Sequence, residues 1–413
     1  MKIWEFFKGS LKLVVTGSRG YYLWMAVLTT ILAIGAYAYS IQAREGLIVT
    51  AMRDEVSWGL YIANFTFLVG VAAAAVLLVI PAYVYNFKAI KDIVIIGEFL
   101  AVSAIVMCLL FVTLDLGHPE RFLHLVPIPG IGILNFPASM LSWDIIVLNG
   151  YLILNLVIPV YLLYRLYMGR DPNWKWALPL ILLSIPWAVS IHTVTAFLYN
   201  ALPGRPFWNA SIMAPRFLAS AFCSGPAIII IIFQVVRKVT KIKIDNEAIF
   251  KLGEIITVAM FLNLFLLGAE IFKEYYSGTI HLAPMQYLYQ GLHGNDSLVP
   301  WIWTATVLNL TAFFLFLVPG TRKNFVTLNM ACAFIFVGVW IEKGMGLIIP
   351  GFIPGVLGEF YYQYKPSIIE LLVTAGVWAT GLMIFTLFLK VAIPIHVGDF
   401  RLVERSGQAE QPG

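Results

Sequence analysis

Residues 114–144, LDLGHPERFLHLVPIPGIGILNFPASMLSWD, join the end of one long apolar segment to the start of the next. The first segment ends in Asp115-Leu-Gly-His118, and the second begins with Trp143-Asp144. Nowhere else in the chain do carboxylates, histidines and an arginine crowd together where two apolar segments end. This stretch predicts the wall of a binding pocket at the mouth of two membrane helices.

The whole chain is far more apolar than a soluble protein. Of its 413 residues, 60% are hydrophobic and 12% are charged, and the mean hydropathy is +0.86. Soluble domains carry about 25% charged residues. The composition therefore excludes a soluble globule and predicts an all-α integral membrane protein, for which we expect a lipid membrane as partner and no nucleic acid.

Apolar runs of about twenty residues, long enough to cross a hydrocarbon core of about 30 Å, occur ten times. The second run is long enough to tilt or to bend near Pro81. Basic residues precede the first run without a suitable cleavage site, so we interpret that run as a retained span. We predict a ten-span membrane domain over 21–392, preceded by a cytoplasmic segment 1–20 and followed by a cytoplasmic tail 393–413. The predicted spans are 21–42, 59–86, 93–114, 142–166, 177–199, 213–236, 252–272, 299–319, 327–347 and 367–392.

The basic residues predict the orientation of these spans. With the N-terminus inside, most of the 27 lysines and arginines fall in cytoplasmic segments. We therefore predict a multi-pass protein of the cytoplasmic membrane with both termini in the cytoplasm. The long connections then lie outside, where we expect a partner to dock; these are 43–58, 115–141, 273–298 and 348–366.

Short motifs recur in the two halves of the chain. Gly97-Glu98 stands near the start of the third run, and Gly253-Glu254 stands near the start of the seventh. The fourth and eighth runs both carry Trp followed by Val-Leu-Asn. These matches predict two parallel four-helix repeats, about 59–199 and 213–347, plus a flanking helix on each side. Chance similarity is the alternative.

The repeats differ in the residues that carry chemistry. Asp144 corresponds to Thr304 in the second copy, and nothing there corresponds to His118. In the fourth run Asp144, Tyr151 and Asn155 lie along one helical face, which suits a pocket or a water-filled cleft. Hydrogen bonding between helices is the alternative. We predict that the chemistry lies in the first half.

Six short motifs are spread along the chain: WGLYIAN from Trp58, DLGHPERF from Asp115, SWD from Ser142, IEKG from Ile341, PGFIP from Pro350 and LKVAIP from Leu389. Together they resemble the NrfD/PsrC family, over roughly residues 20–395. Within that family, the length of the chain and its closing motifs most resemble DsrP, the membrane subunit of the DsrMKJOP complex of sulfate-reducing organisms, or its Hme counterpart.

The resemblance implies a helical bundle without cofactors of its own that binds menaquinone near the outer face. It implies a subunit of a quinone-dependent oxidoreductase that exchanges electrons with an extracytoplasmic iron-sulfur protein in sulfite- or sulfate-linked electron transfer, and it leaves proton translocation open. The further partners it implies are a haem b membrane subunit, a multihaem cytochrome c and a cytoplasmic subunit like heterodisulfide reductase. Members of this kind place an aspartate and a histidine at the quinone, which correspond to Asp144 and His118.

Quinol oxidation releases two electrons and two protons, so the pocket needs proton acceptors. We expect His118 and Asp144 to be these acceptors and Asp115 to be an orienting partner or proton exit. His118 capping the third span is the alternative. Further residues are predicted to bind the quinone, and these are Asn64, Tyr151, His192 and Trp143. For His192, a bond to a neighbouring helix is an equal alternative.

Carboxylates within spans often mark proton relays. Glu98, Glu254 and Glu270 are therefore predicted to lie on proton paths. The alternative is that Glu98 and Glu254 each pair with a loop lysine, Lys91 or Lys251.

No haem, iron-sulfur cluster or metal site is expected in this chain. The three cysteines are isolated in apolar segments, whereas a cluster needs several closely spaced thiolates. A membrane haem b needs two facing ligands, and His192 is the only histidine well inside a predicted span. A transporter of ions or small solutes, which the repeat also permits, is the competing function.

Overall fold

A computed structural model of the protein describes residues 2–91, 93–125, 132, 134–279, 281–353 and 363–402. Within these ranges ten helical segments are long and apolar enough to cross a membrane, which confirms the predicted all-α, ten-span architecture. These spans are Arg19–Glu45, Leu60–Val84, Val94–Asp115, Met140–Tyr167, Trp174–Asn200, Met213–Val239, Asn246–Ser277, Val299–Leu317, Phe325–Phe352 and Ile368–Val397.

The seventh and tenth helices extend beyond their predicted ends. The seventh continues past Lys273 to Ser277, because charged side chains end an apolar run without interrupting helical hydrogen bonding, and the tenth continues past residue 392 to Val397. Both helices end at a glycine in the left-handed region, Gly278 (φ 58°) and Gly398 (φ 104°). The segment after the last span therefore begins later than the predicted residue 393.

The second span, for which the sequence predicted a tilt or a bend near Pro81, is not one regular α-helix. Regular α-helix covers Leu60–Ala73, a short turn covers Val76–Val79, and a π-helical turn covers Ile80–Val84. Pro81 stands at the start of that last turn, where its missing N–H and its ring disturb the regular backbone hydrogen bonds of the helix.

The spans form two four-helix groups, each packed in chain order. We call spans two to five the first bundle and spans six to nine the second bundle. The bundles meet along the second and sixth spans, which are largely buried, and the tenth span packs on the third and the first. Small residues permit the close approach of the second and sixth spans, since a Cβ on Gly225 would overlap Ala74. This grouping suits the predicted repeat, whose parallel relation stays a prediction.

Before the first span, residues Lys2–Val15 form a helix. Phe6 packs edge-on against Tyr164 and Tyr167 at the end of the fourth span, while Trp4 and neighbouring apolar side chains are exposed. Tyr167 also contacts Phe400 beyond the tenth span. Both ends of the described chain therefore lie at the same end of the bundles, and the side of the membrane that they face stays a prediction.

Candidate functional site

Buried polar side chains gather at the end of the bundles opposite to the two chain termini. We call this the distal end; the orientation predicted from the basic residues places it outside. The third, fifth, seventh and ninth spans finish there, and the fourth, sixth and eighth begin there. Residues from distant parts of the sequence are thereby brought to the same depth.

Asp144 lies in the first turns of the fourth span and is only 2% exposed. Its Oδ1 accepts a hydrogen bond from Thr195 Oγ1 at 2.7 Å, and Cys108 lies nearby. No lysine, arginine or histidine of the described ranges forms an ion pair with it. A buried carboxylate with a hydroxyl partner and no cation is a candidate for proton transfer, because a purely structural carboxylate at this depth is normally paired.

Tyr199 extends this polar group one turn beyond Thr195 on the fifth span. Its hydroxyl lies 2.5 Å from Thr66 Oγ1 of the second span, and it is within electrostatic range of both Asp144 and Asp115. Tyr199 therefore lies within electrostatic range of one carboxylate from the third span and one from the fourth.

An aromatic group covers Tyr199 and gives a packing role to the motif that begins at Trp58. The Trp58 ring stacks on Trp208 with centroids 5.4 Å apart and meets Tyr199 edge-on at 5.7 Å. Phe352 packs edge-on against Trp208 at 5.1 Å. These aromatic side chains pack around the Tyr199 ring at the junction of the bundles.

Asp115 is the last residue of the third span. Its Oδ1 is buried without a hydrogen-bond partner in the described part of the chain, and Glu370 lies within electrostatic range. Glu370 itself is fully engaged, since it accepts bonds from the Tyr364 hydroxyl and from two backbone N–H groups. Asp115 is therefore the second carboxylate at this end of the first bundle with unused acceptor capacity.

His118 does not join these carboxylates. Its side chain is 65% exposed, and Nδ1 lies 2.9 Å from Glu120 Oε1. The backbone N–H of Glu120 and then His118 hold the pKa of the Glu120 carboxyl below its usual range. Gly117, with φ at 68°, turns the chain where the third span ends. The role of His118 as a proton acceptor stays a prediction.

The polar stripe of the fourth span faces inward, as its spacing predicted. Tyr151 and Asn155 are buried with Asp144, and Asn155 Nδ2 donates to the Tyr151 carbonyl at 2.9 Å. Glu98 lies within electrostatic range of Tyr151 and is buried without an ion pair among the described residues. The stripe therefore leads from Asp144 towards a second buried carboxylate near the opposite end of the first bundle.

Asn64 and Trp143 have structural partners. Asn64 Oδ1 accepts bonds from the indole N–H groups of Trp340 and Trp378 at 3.1 and 3.0 Å, so it ties the second span to the ninth and tenth. Trp143 donates to the Pro137 carbonyl at 3.0 Å and is partly exposed. Neither contact tests the predicted binding of quinone, but both give these residues a role in packing.

A charged cluster occupies the distal end of the second bundle. Arg216 forms ion pairs with Glu270 and with Glu342, the latter at 2.9 Å, and all three side chains are buried. Lys343 Nζ lies 3.6 Å from Glu342, and Asn309 Nδ2 donates to Glu342 at 3.0 Å. Glu270, predicted on a proton path, is thus paired with Arg216 of the sixth span.

Glu254 lies at the opposite end of the seventh span and is half exposed. It pairs with Lys251 at 2.8 Å, which is the alternative that the sequence left open. Its counterpart Glu98 has no such partner among the residues that the structure describes, so the two motif glutamates occupy different environments.

The matched family model carries the description "Polysulphide reductase, NrfD" and covers residues 48–354, which include both bundles. The chain belongs to the NrfD family. The resemblance noted from the sequence motifs is thereby confirmed at the level of the family, and this NrfD chain is a multi-pass membrane protein of the kind that its ten spans indicate.

Three curated relatives match almost end to end. A selenate reductase subunit of Mesobacillus selenatarsenatis is 24% identical, over 90% of this chain and 94% of the relative. A putative dimethyl sulfoxide reductase membrane subunit of Halobacterium salinarum is 25% identical, over 87% and 88%. An Hdr-like menaquinol oxidoreductase integral membrane subunit of Archaeoglobus fulgidus is 23% identical, over 90% and 93%. All three are named as subunits of reductases or oxidoreductases.

For cofactors, the described parts of this NrfD chain contain no group of three or more His, Cys, Asp or Glu side chains able to hold a metal ion. Cys108, Cys223 and Cys332 are free and buried. That the chain lacks haem and iron-sulfur clusters stays a prediction.

Sequence reasoning missed two sets of functional candidates. Thr195 and Tyr199 share a helical face with His192, and this spacing of three and four residues was a usable signal. The second set lies near the outer ends of the predicted sixth and ninth spans, and no pairing between those two spans was predicted; its members are Arg216, Glu342 and Lys343.

Proposed function

We propose that this NrfD-family chain is the quinone-reactive membrane subunit of an oxidoreductase complex. It exchanges electrons between menaquinone or menaquinol and an iron-sulfur protein at the distal end, outside the cytoplasm. The observation that carries the proposal is Asp144, a buried carboxylate with a hydroxyl partner and no cation among the described residues. The relative named as a menaquinol oxidoreductase subunit supports the choice of quinone, and the two reductase subunits support the reaction class.

A menaquinol would supply two electrons and two protons, and the protein must accept both protons. Asp144 takes one of them, while the Thr195 hydroxyl fixes the orientation of its carboxylate. Asp115 offers the second carboxylate, with the hydroxyl of Tyr199 in range of both. In the reverse direction the same groups return protons. The electrons pass to the partner's iron-sulfur cluster.

Because His118 lies on an exposed loop, we propose a role for it that differs from that of the two aspartates. It lies beyond Asp115 and beside Glu120, where it exchanges protons with solvent and does not contact the quinone. We assign it to the exit of the proton route, so its removal should cost less than removal of Asp144.

The choice of a particular type of complex rests on the length of the chain and on its closing motifs. We propose that the chain works in a DsrMKJOP-type complex of sulfite- or sulfate-linked electron transfer. Its partners there are an extracytoplasmic iron-sulfur protein, a haem b membrane subunit, a multihaem cytochrome c and a cytoplasmic subunit like heterodisulfide reductase. Both termini then face the cytoplasm.

The test compares three variants in membranes that carry equal amounts of complex. Asp144→Asn should lower quinol-dependent reduction of the partner's iron-sulfur clusters by about 100-fold or more, since acid–base groups contribute about 10²–10⁴. His118→Ala should lower it only a few-fold.

Thr304→Val is the matched control, because Thr304 is exposed at the equivalent position of the second bundle and bonds only its own helix in the described structure. It should keep the wild-type rate. Wild-type rates in Asp144→Asn would refute the proposed role of the first bundle.

A further inference from the structure

A small polar cavity lies where the two bundles meet. Its volume of about 10 Å³ is the space of a single water molecule. The second and fifth spans line it from the first bundle, and the sixth and ninth spans line it from the second. Its polar lining residues are Thr66, His192, Ser220, Ser224 and Lys343.

Two of these groups are buried with unused hydrogen-bonding capacity. His192 is 1% exposed and its Nδ1 has no partner, and Lys343 is 3% exposed and its Nζ has no hydrogen-bond partner in the described ranges. They reach the cavity from opposite bundles. Buried polar groups of this kind are normally satisfied by ordered water, and a cavity with several polar partners holds one.

The cavity also joins the two polar systems at the distal end. On one side Thr66 contacts the Tyr199 hydroxyl at 2.5 Å, and Tyr199 lies in range of Asp144. On the other side Lys343 neighbours Glu342, which is bound to Arg216. A water in the cavity would therefore stand between the uncompensated carboxylate of one bundle and the ion pairs of the other.

We propose that this cavity binds water and transfers protons between the quinone site of the first bundle and the charged cluster of the second, with Lys343 as the proton-carrying residue. The inference rests on the proposed function. Each transfer moves one proton: an O–H bond of Tyr199, Thr66 or the water breaks as the next forms, and Lys343 gains or loses one N–H bond. Electrons take no part, because they leave through the iron-sulfur partner.

Two variants block the route in different ways. Lys343→Met removes the proton carrier. Gly70→Ala fills the cavity wall, since a Cβ at Gly70 would lie 3.6 Å from Ala221 Cα and 3.7 Å from Ser224 Oγ, which are ordinary contacts. The matched control is Gly268→Ala, a helical glycine whose added Cβ would meet nothing within 4 Å.

The experiment measures quinol-dependent reduction of the partner's iron-sulfur clusters in membranes, both in the first turnover and at steady state. Asp144 and Asp115 can hold the first protons, so Gly70→Ala and Lys343→Met should leave the first turnover near the wild-type rate. Steady-state turnover should fall about tenfold or more, because the proton held by Asp144 leaves by this route between cycles, while the His118 exit serves Asp115. Gly268→Ala should change neither rate.

Wild-type steady-state rates in Gly70→Ala and Lys343→Met would overturn the inference, and the cavity would then hold only a structural water. A parallel fall of both phases in Gly70→Ala would also overturn it, since that pattern indicates disturbed packing. Either result leaves the proposed function standing if Asp144→Asn remains inactive. If Asp144→Asn is active, the proposed function itself fails.

Discussion

The distal ends of the two bundles hold buried charge in opposite ways. In the first bundle, Asp144 is bound by a hydroxyl and has no cation in the described structure. In the second, Glu270 and Glu342 are held by Arg216. The ion pairs of Arg216 keep its charge and those of the two glutamates fixed, because removing any one of the three leaves another unpaired. An uncompensated carboxylate is free to gain and lose a proton. This difference is the reason why we propose quinone chemistry for the first bundle.

The shared scaffold makes this comparison informative. Trp143 and Trp303 stand at matching positions, and each indole N–H donates to a backbone carbonyl of the preceding connection, at 3.0 and 3.1 Å. The next residue is the buried Asp144 in one bundle and the exposed Thr304 in the other. The two tryptophans are therefore held in a similar way, and the bundles differ in whether an ionisable side chain follows the tryptophan.

The largest expected effect comes from breaking the compensated cluster. Arg216→Met leaves Glu270 and Glu342 without their main cation in a buried site. Removing one partner of a buried ion pair costs about 3–5 kcal/mol. We expect a much lower thermal unfolding midpoint for the purified subunit in detergent.

Glu254→Gln is the control for this experiment, because its pair with Lys251 is half exposed. Such pairs contribute about 0–1 kcal/mol, so the midpoint should hardly move. Equal stability of the two variants would mean that the Arg216 cluster is not the fixed network described above.

A smaller effect is expected at the opposite end of the first bundle. Glu98 is buried near the Tyr151 stripe, whereas Glu254 at the matching place is paired with a lysine. If Glu98 carries protons, Glu98→Gln should lower steady-state quinol-dependent electron transfer about tenfold, and Glu254→Gln should not change it. Equal rates in the two variants would remove Glu98 from the proton route and confine that route to the distal end.

Much of the fold was predictable because crossing a bilayer imposes a simple rule on composition. Ten apolar runs became ten spans, and Pro81 marked the break in the second. The seventh span was predicted to end before Lys273 because hydropathy registers charge, while the helix ends where its backbone hydrogen bonds end, at Ser277. The N-terminal helix Lys2–Val15 was missed because its pattern is amphipathic and too short for a span.

The site was harder to predict, because it depends on which faces of distant helices meet. Asp144 stood out alone, but its partner Thr195 is 51 residues away, and a threonine in an apolar run gives little signal. Arg216 and Glu342 are separated by 126 residues, and their pairing needs the contact between the sixth and ninth spans. His118 shows the limit from the other side, since it follows Asp115 closely in sequence yet its side chain is exposed beside Glu120.

The most direct test of the central claim locates the quinone itself. A photoreactive azido-menaquinone is added to membranes carrying the complex and illuminated, and the labelled peptides are identified by mass spectrometry with excess menaquinone as competitor. We predict competed labelling in the distal parts of the fourth and fifth spans, around Asp144 and Thr195. Competed labelling around Glu270 and Glu342, with none in the first bundle, would contradict the assignment of quinone chemistry to the first bundle.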